Sequence, residues 1–402
     1  MYAAYIFCGL ILIAYIGTRY LFKKKKVVSP LIYPFTSGLI YIFLGLGLGE
    51  GGLGILNLRI MGSLFPLVSF GLGWAGFLFG FQLELRYIRK FSQNFWFLSF
   101  LQSLLVFCTV SGFLILLLKA VYPTQRPFLL LGMAFSFGLL STIISPSLIH
   151  AISPQIPQKN HHYYLARFLG SVNGFWGIMG LGILVSFWHF PFMDSRIVFT
   201  GGKIFVISVV LSMGFGYVFH LLTAKRTSEQ DLLVYLLGLV FFISGAAFYF
   251  NLSPLFTGMV LGISYSNLTK IHEKLYPLLL ATEKPLYIVF LILIGALWHP
   301  DFDWRIGLVA GSLIVLRILI VLLPLPLLGK MLHFHFTLKR KLGFCFLSSG
   351  SIGIAYAVSI KLAFPIPLTD VFLSIALFTI ILSELVSPWI AKKSLLMLGE
   401  EE

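Results

Sequence analysis

The fifth apolar run of the chain combines hydroxyl side chains with a proline, a combination that can bind ions inside a membrane. Thr142, Ser145 and Pro146 lie within residues 127–150, which are enough residues for a transmembrane helix. A proline has no amide hydrogen, so the carbonyl four residues earlier loses its helical donor. The freed carbonyls and the nearby hydroxyls could coordinate a cation. An ordinary proline kink padded by serines is the alternative interpretation.

A second interruption is predicted in the run at residues 341–362, where five of the six residues 348–353 are serine or glycine. Small residues also favour close helix packing, so this stretch alone does not specify a break. The two interruptions lie seven runs apart, one in each half of the chain. Paired interruptions are typical of inverted-repeat transporters, whose substrate sites lie near the bilayer midplane at broken helices. We therefore expect two broken helices that cross at the midplane.

Two ionisable side chains lie within apolar runs, where a charge is costly and therefore indicates function. Arg317 is near the centre of the run at residues 305–327. It either caps carbonyls of a broken neighbouring helix or takes part in transport, and the two roles are compatible. Glu384 lies closer to the predicted inner end of residues 367–391. An interfacial or packing role is favoured for Glu384, and it is also the candidate proton carrier.

The sixth run, residues 166–187, contains Asn173 followed by Gly174 but no acidic residue. The amide oxygen of Asn173 can coordinate a cation or accept a hydrogen bond from a neighbouring helix. The candidate ion-binding residues are Thr142, Ser145, Asn173, Arg317 and Ser351, and the candidate helix breaks are at Pro146, Gly350 and Gly353.

The elements that must position these residues are predicted to be membrane helices throughout. The chain has 402 residues, 58% hydrophobic and 11% charged, whereas about 25% of the residues of a soluble protein are charged. Runs of roughly 20 apolar residues are needed per span. They divide the chain into thirteen spans, at residues 1–22, 31–49, 64–83, 95–118, 127–150, 166–187, 203–222, 231–250, 253–267, 279–298, 305–327, 341–362 and 367–391. We therefore predict a single all-α transmembrane domain over residues 1–402.

The basic residues predict the orientation of the chain, because cytoplasmic connections are enriched in Lys and Arg. With the N-terminus outside and the C-terminus in the cytoplasm, 21 of the 29 basic residues fall in inner connections. Seven fall in outer connections, and Arg317 lies inside a span. This bias supports both the orientation and the number of spans, since one missed span would invert every later connection.

Short motifs in order along the chain resemble the cation/proton antiporter superfamily, which includes sodium/proton exchangers and potassium-efflux antiporters. Residues 77–85, Phe-Leu-Phe-Gly-Phe-Gln-Leu-Glu-Leu, resemble the "F-x-x-G-x-E-L" stretch of that superfamily, and Ser145-Pro146 resembles its Thr-Asp-Pro or Thr-Ser-Pro break. Arg317 falls where these proteins keep a core Lys or Arg. Further similar stretches are residues 44–54, 252–262, 290–295 and 348–353.

The resemblance implies a homodimer in the inner cell membrane, with a dimerisation bundle and a six-helix core. The core helices would lie at about residues 64–187 and 305–391. The implied function is antiport of a monovalent cation, Na⁺ or K⁺, against protons by alternating access. The sequence departs from the superfamily at the ion-binding helix, where an Asn-Asp or Asp-Asp pair is normal and Asn173-Gly174 stands here.

This departure leaves two other functions open. The chain could be a non-transporting, regulatory homologue, or a transporter of organic anions that uses Arg317 as the counter-ion. An enzyme is not indicated, because the sequence shows no phosphate-binding loop, nucleophile–base pair or metal-ligand spacing. No cofactor and no nucleic-acid partner are expected, since the net charge of +15 is explained by the connections between spans.

Overall fold

The computed structural model describes residues 2–20, 38–88, 93–145, 148–149, 161–188, 201–223, 229–269, 272–300, 303–322, 328–329, 331 and 340–400. Within these ranges the chain forms thirteen helices of ten residues or more. They are α1 (Tyr2–Tyr20), α2 (Leu39–Leu48), α3 (Leu58–Phe81), α4 (Gln93–Val121), α5 (Pro127–Thr142), α6 (His161–Trp188), α7 (Gly201–Thr223), α8 (Glu229–Tyr249), α9 (Pro254–Leu268), α10 (His272–Leu297), α11 (Trp304–Leu322), α12 (Gly350–Ala363) and α13 (Pro367–Glu400). A single helical turn at Leu85–Ile88 and a 3₁₀ segment at Arg340–Phe346 complete the described elements.

The predicted all-α membrane fold is confirmed, and each of the thirteen helices overlaps one predicted span. Seven of them are long and apolar enough to cross a membrane by length and composition, namely α3, α4, α6, α7, α8, α10 and α13. Two spans differ from a continuous helix in the way the interruptions predict. The helix α5 ends at Thr142 inside the span predicted at residues 127–150, and the span predicted at 341–362 is divided into the 3₁₀ segment and α12.

The helix α13 is longer than predicted, because it continues to Glu400 instead of ending near residue 391. The sequence after residue 391 is Lys-Lys-Ser-Leu-Leu-Met, and its charged beginning looks like the end of a membrane span. A helix can nevertheless continue past the hydrocarbon region, because its backbone hydrogen bonds are satisfied internally. Because of this extension, Glu384 lies near the middle of α13 and not near its end.

Glycines allow two pairs of helices to approach until backbone touches backbone. A Cβ added at Gly76 of α3 would lie 2.1 Å from the Leu255 carbonyl oxygen of α9, and one at Gly80 would lie 2.1 Å from that of Met259. Small residues permit this packing in membranes, where dispersion and weak hydrogen bonds hold helices together. Because residue numbers rise together on both helices, α3 and α9 run parallel.

The helices α2 and α10 are packed in the same way. A Cβ at Gly38 would lie 2.9 Å from Leu291 Cδ1, one at Gly45 would lie 2.0 Å from the Ile292 carbonyl oxygen, and one at Gly49 would lie 3.0 Å from that of Ala296. Residue numbers again rise together, so α2 and α10 also run parallel. These helices are eight spans apart and α3 and α9 are six apart. An even separation in a chain that crosses the membrane with every span requires parallel helices, so both pairs agree with the predicted order of spans.

Around the two interruptions, helices α4, α5, α6, α11, α12 and α13 pack against one another. A Cβ at Gly138 of α5 would lie 2.1 Å from Ser111 Oγ of α4, and one at Gly177 of α6 would lie 2.8 Å from Thr142 Oγ1. On the other side of α5, the rings of Phe137 and Phe372 of α13 are 4.5 Å apart between centroids. The two interruptions are therefore enclosed by helices from both halves of the chain.

Candidate functional site

The first break begins where α5 ends. The backbone of Ile143 is extended, with φ −73° and ψ 123°, and Ile143, Ile144 and Ser145 are not helical. Thr142 closes the helix with its hydroxyl, which donates a hydrogen bond of 2.7 Å to the Leu139 carbonyl. Pro146 lies outside the described residues. The result is a non-helical segment, buried throughout, that follows a 16-residue helix.

The second break separates the 3₁₀ segment from α12. Residues 347–349 are not helical, and Gly350 has a left-handed backbone with φ +57°. An L-residue in this conformation brings its Cβ close to a carbonyl oxygen, so glycine is the residue that adopts it at little cost. Gly353 lies in the first turn of α12, where an added Cβ would lie 2.4 Å from the Ser349 Cβ. Gly350 therefore makes the turn, and Gly353 makes room for the segment before it.

The two breaks touch each other through the backbone. The Ser145 amide donates a hydrogen bond of 2.8 Å to the Ser348 carbonyl oxygen. A non-helical backbone inside the membrane must find such partners, because no water is there to satisfy its amides and carbonyls. The predicted crossing of two broken helices, one from each half of the chain, is confirmed.

Arg317 joins the same two breaks with its side chain. The guanidinium is buried, and its Nη2 donates 2.8 Å to the Ile143 carbonyl oxygen in the first break. Its Nη1 donates 2.5 Å to Ser349 Oγ in the second break. The cap on the carbonyls of a broken neighbouring helix, one of the two expected roles of Arg317, is thus present. A planar group with several donors suits this task, because it can reach two acceptors at once.

Glu384 of α13 contacts the second break from within the protein. Its side chain is 2% exposed, and its Oε1 accepts a hydrogen bond of 2.8 Å from the Gly350 amide and another from Ser348 Oγ. The Gly350 amide is at the first residue of α12, where the partial positive charge of the helix dipole favours a carboxylate. Its Oε2 is buried and has no hydrogen-bond partner among the described residues.

Glu384 is central in its helix and not near its end. Because α13 runs from Pro367 to Glu400, Glu384 lies midway along it, level with the crossing. Arg317 and Glu384 bind adjacent residues of one short segment, Ser348, Ser349 and Gly350. The crossing therefore holds one basic and one acidic side chain.

Asn173 is buried beside the first break, but it is bonded to a residue that sequence reasoning missed. Ser99 of α4 donates a hydrogen bond to Asn173 Oδ1, and both side chains are at most 1% exposed. Serines are common in membrane helices, and the position of Ser99 in the apolar run of α4 gives no sign of which helix it faces. The amide oxygen that was the candidate cation ligand is thus held in place by α4.

Gly174, where the superfamily carries an acidic residue, faces the first break. A Cβ at Gly174 would lie 3.8 Å from the Ile144 carbonyl oxygen and 2.8 Å from the Phe79 ring. Phe79 is 2% exposed and belongs to α3. An aromatic ring of α3 therefore occupies the space beside this position, and no carboxylate reaches the first break from α6.

The remaining candidates divide into two groups. Ser145, Gly350, Arg317 and Glu384 are brought together at the crossing, and Thr142 and Asn173 are buried at its α6 side. Ser351 is half-buried in the first turn of α12 and has no hydrogen bond to another described residue. Ser348 and Ser349, which sequence reasoning included only as small residues, bind Glu384 and Arg317.

A helical membrane chain in which two broken helices cross beside buried charges is a secondary transporter of the inverted-repeat class. The chain belongs to the transmembrane sodium/hydrogen exchanger family, whose model matches residues 9–393. It is therefore a transporter by family and not an enzyme, and its resemblance to the cation/proton antiporter superfamily is confirmed.

Solved structures support the same fold. This chain is similar to the structure of the sodium proton antiporter MjNhaP1 from Methanocaldococcus jannaschii at pH 8, with a TM-score of 0.69 and 14% sequence identity. The superposition covers 99% of this chain and 99% of the antiporter chain. A second structure of that antiporter, an electron-microscopy map, covers 90% of this chain and 91% of that one, with a TM-score of 0.61 and 16% identity. At such identities the likeness shows the fold alone. No curated protein matches this chain in sequence.

Proposed function

We propose that this chain exchanges a monovalent cation, Na⁺ or K⁺, for protons by alternating access, with Glu384 as the group that carries the proton. The observation that carries this proposal is the buried carboxyl of Glu384 at the second break. One oxygen is fixed by Gly350 and Ser348, and the other has no partner among the described residues. That second oxygen can take up either a proton or a cation.

The need for such a group follows from the exchange itself. A proton and a cation compete only if both occupy the same titratable site in turn. The acidic position of the superfamily is Gly174 here, so the role falls to another carboxyl. Glu384 is the only acidic side chain that is buried within the described part of the chain. It is also the acidic side chain that contacts the crossing.

Arg317 fits the same cycle as a fixed positive charge. With Glu384 protonated, the pair of side chains has a net charge of +1. With Glu384 ionised and a monovalent cation bound, the total is again +1. We therefore propose an exchange of one cation for one proton, which leaves the charge of the buried site unchanged and avoids the cost of an unbalanced charge in the membrane.

The remaining parts of the proposal concern the whole molecule. We propose a homodimer in the inner cell membrane with the N-terminus outside and the C-terminus in the cytoplasm. The six-helix core, within about residues 64–187 and 305–391, would consist of α4, α5, α6, α11, α12 and α13 and would move against a dimerisation bundle. The bias of basic residues supports the orientation, and the enclosure of the crossing by α4, α5, α6, α11, α12 and α13 supports the core.

Neither alternative function is favoured by a specific contact. Both terminal nitrogens of Arg317 donate to the protein, and a carboxyl is bound to the same segment, so the surroundings do not favour an organic anion. A regulatory homologue without transport would keep the fold but would have no need for a buried carboxyl with an unpartnered oxygen. Direct measurement of transport separates these alternatives from exchange.

The test is reconstitution of the purified protein in liposomes that contain a pH-sensitive dye, followed by external addition of Na⁺, Li⁺ or K⁺. We expect a cation-dependent change of internal pH for the natural chain and none above empty vesicles for Glu384→Gln. The matched control is Glu84→Gln, which removes a half-buried carboxyl at the end of α3 and should retain exchange. No pH change with any of the three cations would exclude this function.

A further inference from the structure

The helix α4 carries three polar side chains on one face, at the level of the crossing. Ser99, Gln102 and Ser103 are spaced three and four residues apart, so they lie on one side of the helix. Their exposed fractions are 0%, 1% and 5%. In a helix whose other residues at this level are almost all apolar, a buried polar face of this kind requires an explanation.

Two of these side chains have buried atoms without a hydrogen-bond partner. Neither Gln102 Oε1 nor Ser103 Oγ has a partner among the described residues. A buried polar atom left in this state is costly, because it loses its hydrogen bonds to water without replacement. Such an atom is not a binding site by itself, because Ser111 Oγ of the same helix also has no partner in the described part of the chain, so its position relative to the crossing decides whether it can bind an ion.

The contacts of α4 place this face beside the first break. Ser99 donates to Asn173, and the adjacent Gly174 faces the Ile144 carbonyl oxygen, with 3.8 Å between that oxygen and the Cβ position. The face is therefore next to the part of α6 that meets the break.

The packing of α4 on α5 independently places the polar face of α4 at the depth of the first break. A Cβ at Gly138 of α5 would contact both Phe107 and Ser111 of α4. The two helices are consecutive spans joined by a short connection, residues 122–126, so they run antiparallel. On α4, Ser103 lies six residues before the point midway between Phe107 and Ser111, and on α5, Thr142 lies four residues after Gly138. At 1.5 Å per helical residue, Ser103 is about 9 Å from the contact, and Thr142, after which the break begins, is about 6 Å from it in the same direction. Ser103 is thus level with the break.

We propose that Gln102 and Ser103, with Ser99 and Asn173, form a subsite for the dehydrated monovalent cation. Amide and hydroxyl oxygens are hard, neutral ligands that can replace the hydration shell of such an ion. No three His, Cys, Asp or Glu side chains group together as a metal site within the described residues, so neutral oxygens are the ligands this region offers. This inference rests on the proposed exchange, in which the cation also binds at Glu384, and adds an earlier binding position for that cation on the α6 side of the crossing.

The division of labour has a measurable consequence. Neutral oxygens bind a cation but do not take up a proton in the range where Glu384 titrates. Substitutions on α4 should therefore weaken the binding of the cation without removing the group that takes up the proton. A purely structural role of Gln102 would instead alter stability without altering the affinity for the cation.

The experiment measures the binding of radioactive Na⁺ to purified protein, with Li⁺ and K⁺ as competitors, and compares it with exchange in liposomes. We expect Gln102→Leu to raise the apparent dissociation constant for the cation about tenfold, as expected for one lost interaction with an ion. Ser103→Ala should raise it by a smaller factor. The matched control is Ser111→Ala, which removes another buried, unpartnered hydroxyl of α4 two turns away, where α4 packs on Gly138.

The outcomes separate this inference from the proposed function. If the natural chain binds and exchanges the cation, and Gln102→Leu and Ser103→Ala bind it equally well, the subsite is excluded and the exchange stands. If the natural chain neither binds nor exchanges any of the three cations, the proposed function fails and the subsite fails with it. Thermal unfolding without added cation verifies that each variant is folded.

Discussion

The two breaks at the crossing correspond to each other in the inverted repeat, but their chemistry differs. The first break offers backbone groups and the hydroxyls of Thr142 and Ser145, and the adjacent position on α6 is Gly174. The second break carries the carboxyl of Glu384 and a left-handed glycine at Gly350. The geometry of the crossing needs both breaks, whereas among the described residues a carboxyl contacts only the second.

This difference teaches that the position of the charge is separable from the fold. In the superfamily that the sequence resembles, the acidic group belongs to the helix that follows the first break. In this chain the buried carboxyl belongs to the helix that follows the second break, which is the counterpart of that helix in the other half. Arg317 contacts both breaks and therefore sits where it can balance a charge on either side.

The largest effect is expected where both breaks depend on one residue. Arg317→Ala should lower the free energy of unfolding by about 3 kcal/mol, because it leaves the buried Ile143 carbonyl and Ser349 hydroxyl without their donor inside the membrane. Denaturation in mixed micelles, monitored by circular dichroism, measures this loss. Exchange in liposomes should disappear as well, since the crossing loses the side chain that joins its halves.

The matched control is on the same helix. Arg305→Ala removes an exposed ion pair with Asp303 at the start of α11, and such pairs contribute at most about 1 kcal/mol. If Arg317→Ala were as stable as Arg305→Ala, the guanidinium would not hold the breaks together, and the two halves would be linked by the backbone contact alone.

A smaller effect should distinguish the second break from the first. Gly350→Ala places a Cβ on a left-handed backbone, which costs about 1–2 kcal/mol. It should also displace the amide that binds Glu384, so the rate of exchange should fall together with stability. The same denaturation and liposome measurements verify both effects. Among the described residues of the first break there is no positive φ, so no equivalent glycine substitution exists there.

Gly311→Ala is the comparison for this prediction. Gly311 lies within α11, and an added Cβ would have no neighbour within 4 Å. Alanine has a higher helix propensity than glycine, so this variant should be as stable as the natural chain or slightly more stable. Equal behaviour of Gly350→Ala and Gly311→Ala would show that the left-handed turn is not needed at the crossing.

The sequence predicts the fold well because the membrane restricts what a chain can do. Runs of about 20 apolar residues locate the spans, and the proline at residue 146 and the glycine at 350 mark interruptions that a membrane tolerates only inside a protein. The level of Glu384 could not be predicted, because it depends on the end of α13, and helix ends are poorly specified by sequence. The partners of Gln102 and Asn173 depend on the rotation of α4 and α6, which only tertiary packing decides.

The last prediction asks whether a carboxyl can be returned to the first break. Gly174 faces the Ile144 carbonyl oxygen, but the Phe79 ring lies 2.8 Å from the Cβ position, so Gly174→Asp alone would collide with that ring. The variant that combines Glu384→Gln, Gly174→Asp and Phe79→Ala should recover about tenfold of the exchange lost in Glu384→Gln, which corresponds to about 1.4 kcal/mol. Partial recovery is expected because the deletion of the buried Phe79 ring leaves a cavity that weakens packing.

The same triple variant with Asn at residue 174 has nearly the same shape but cannot carry a proton, and it should recover nothing. If the Asn and Asp versions were equally inactive in the pH-dye assay, the two breaks would not be interchangeable, and the carboxyl would have to stand at the N-terminus of α12.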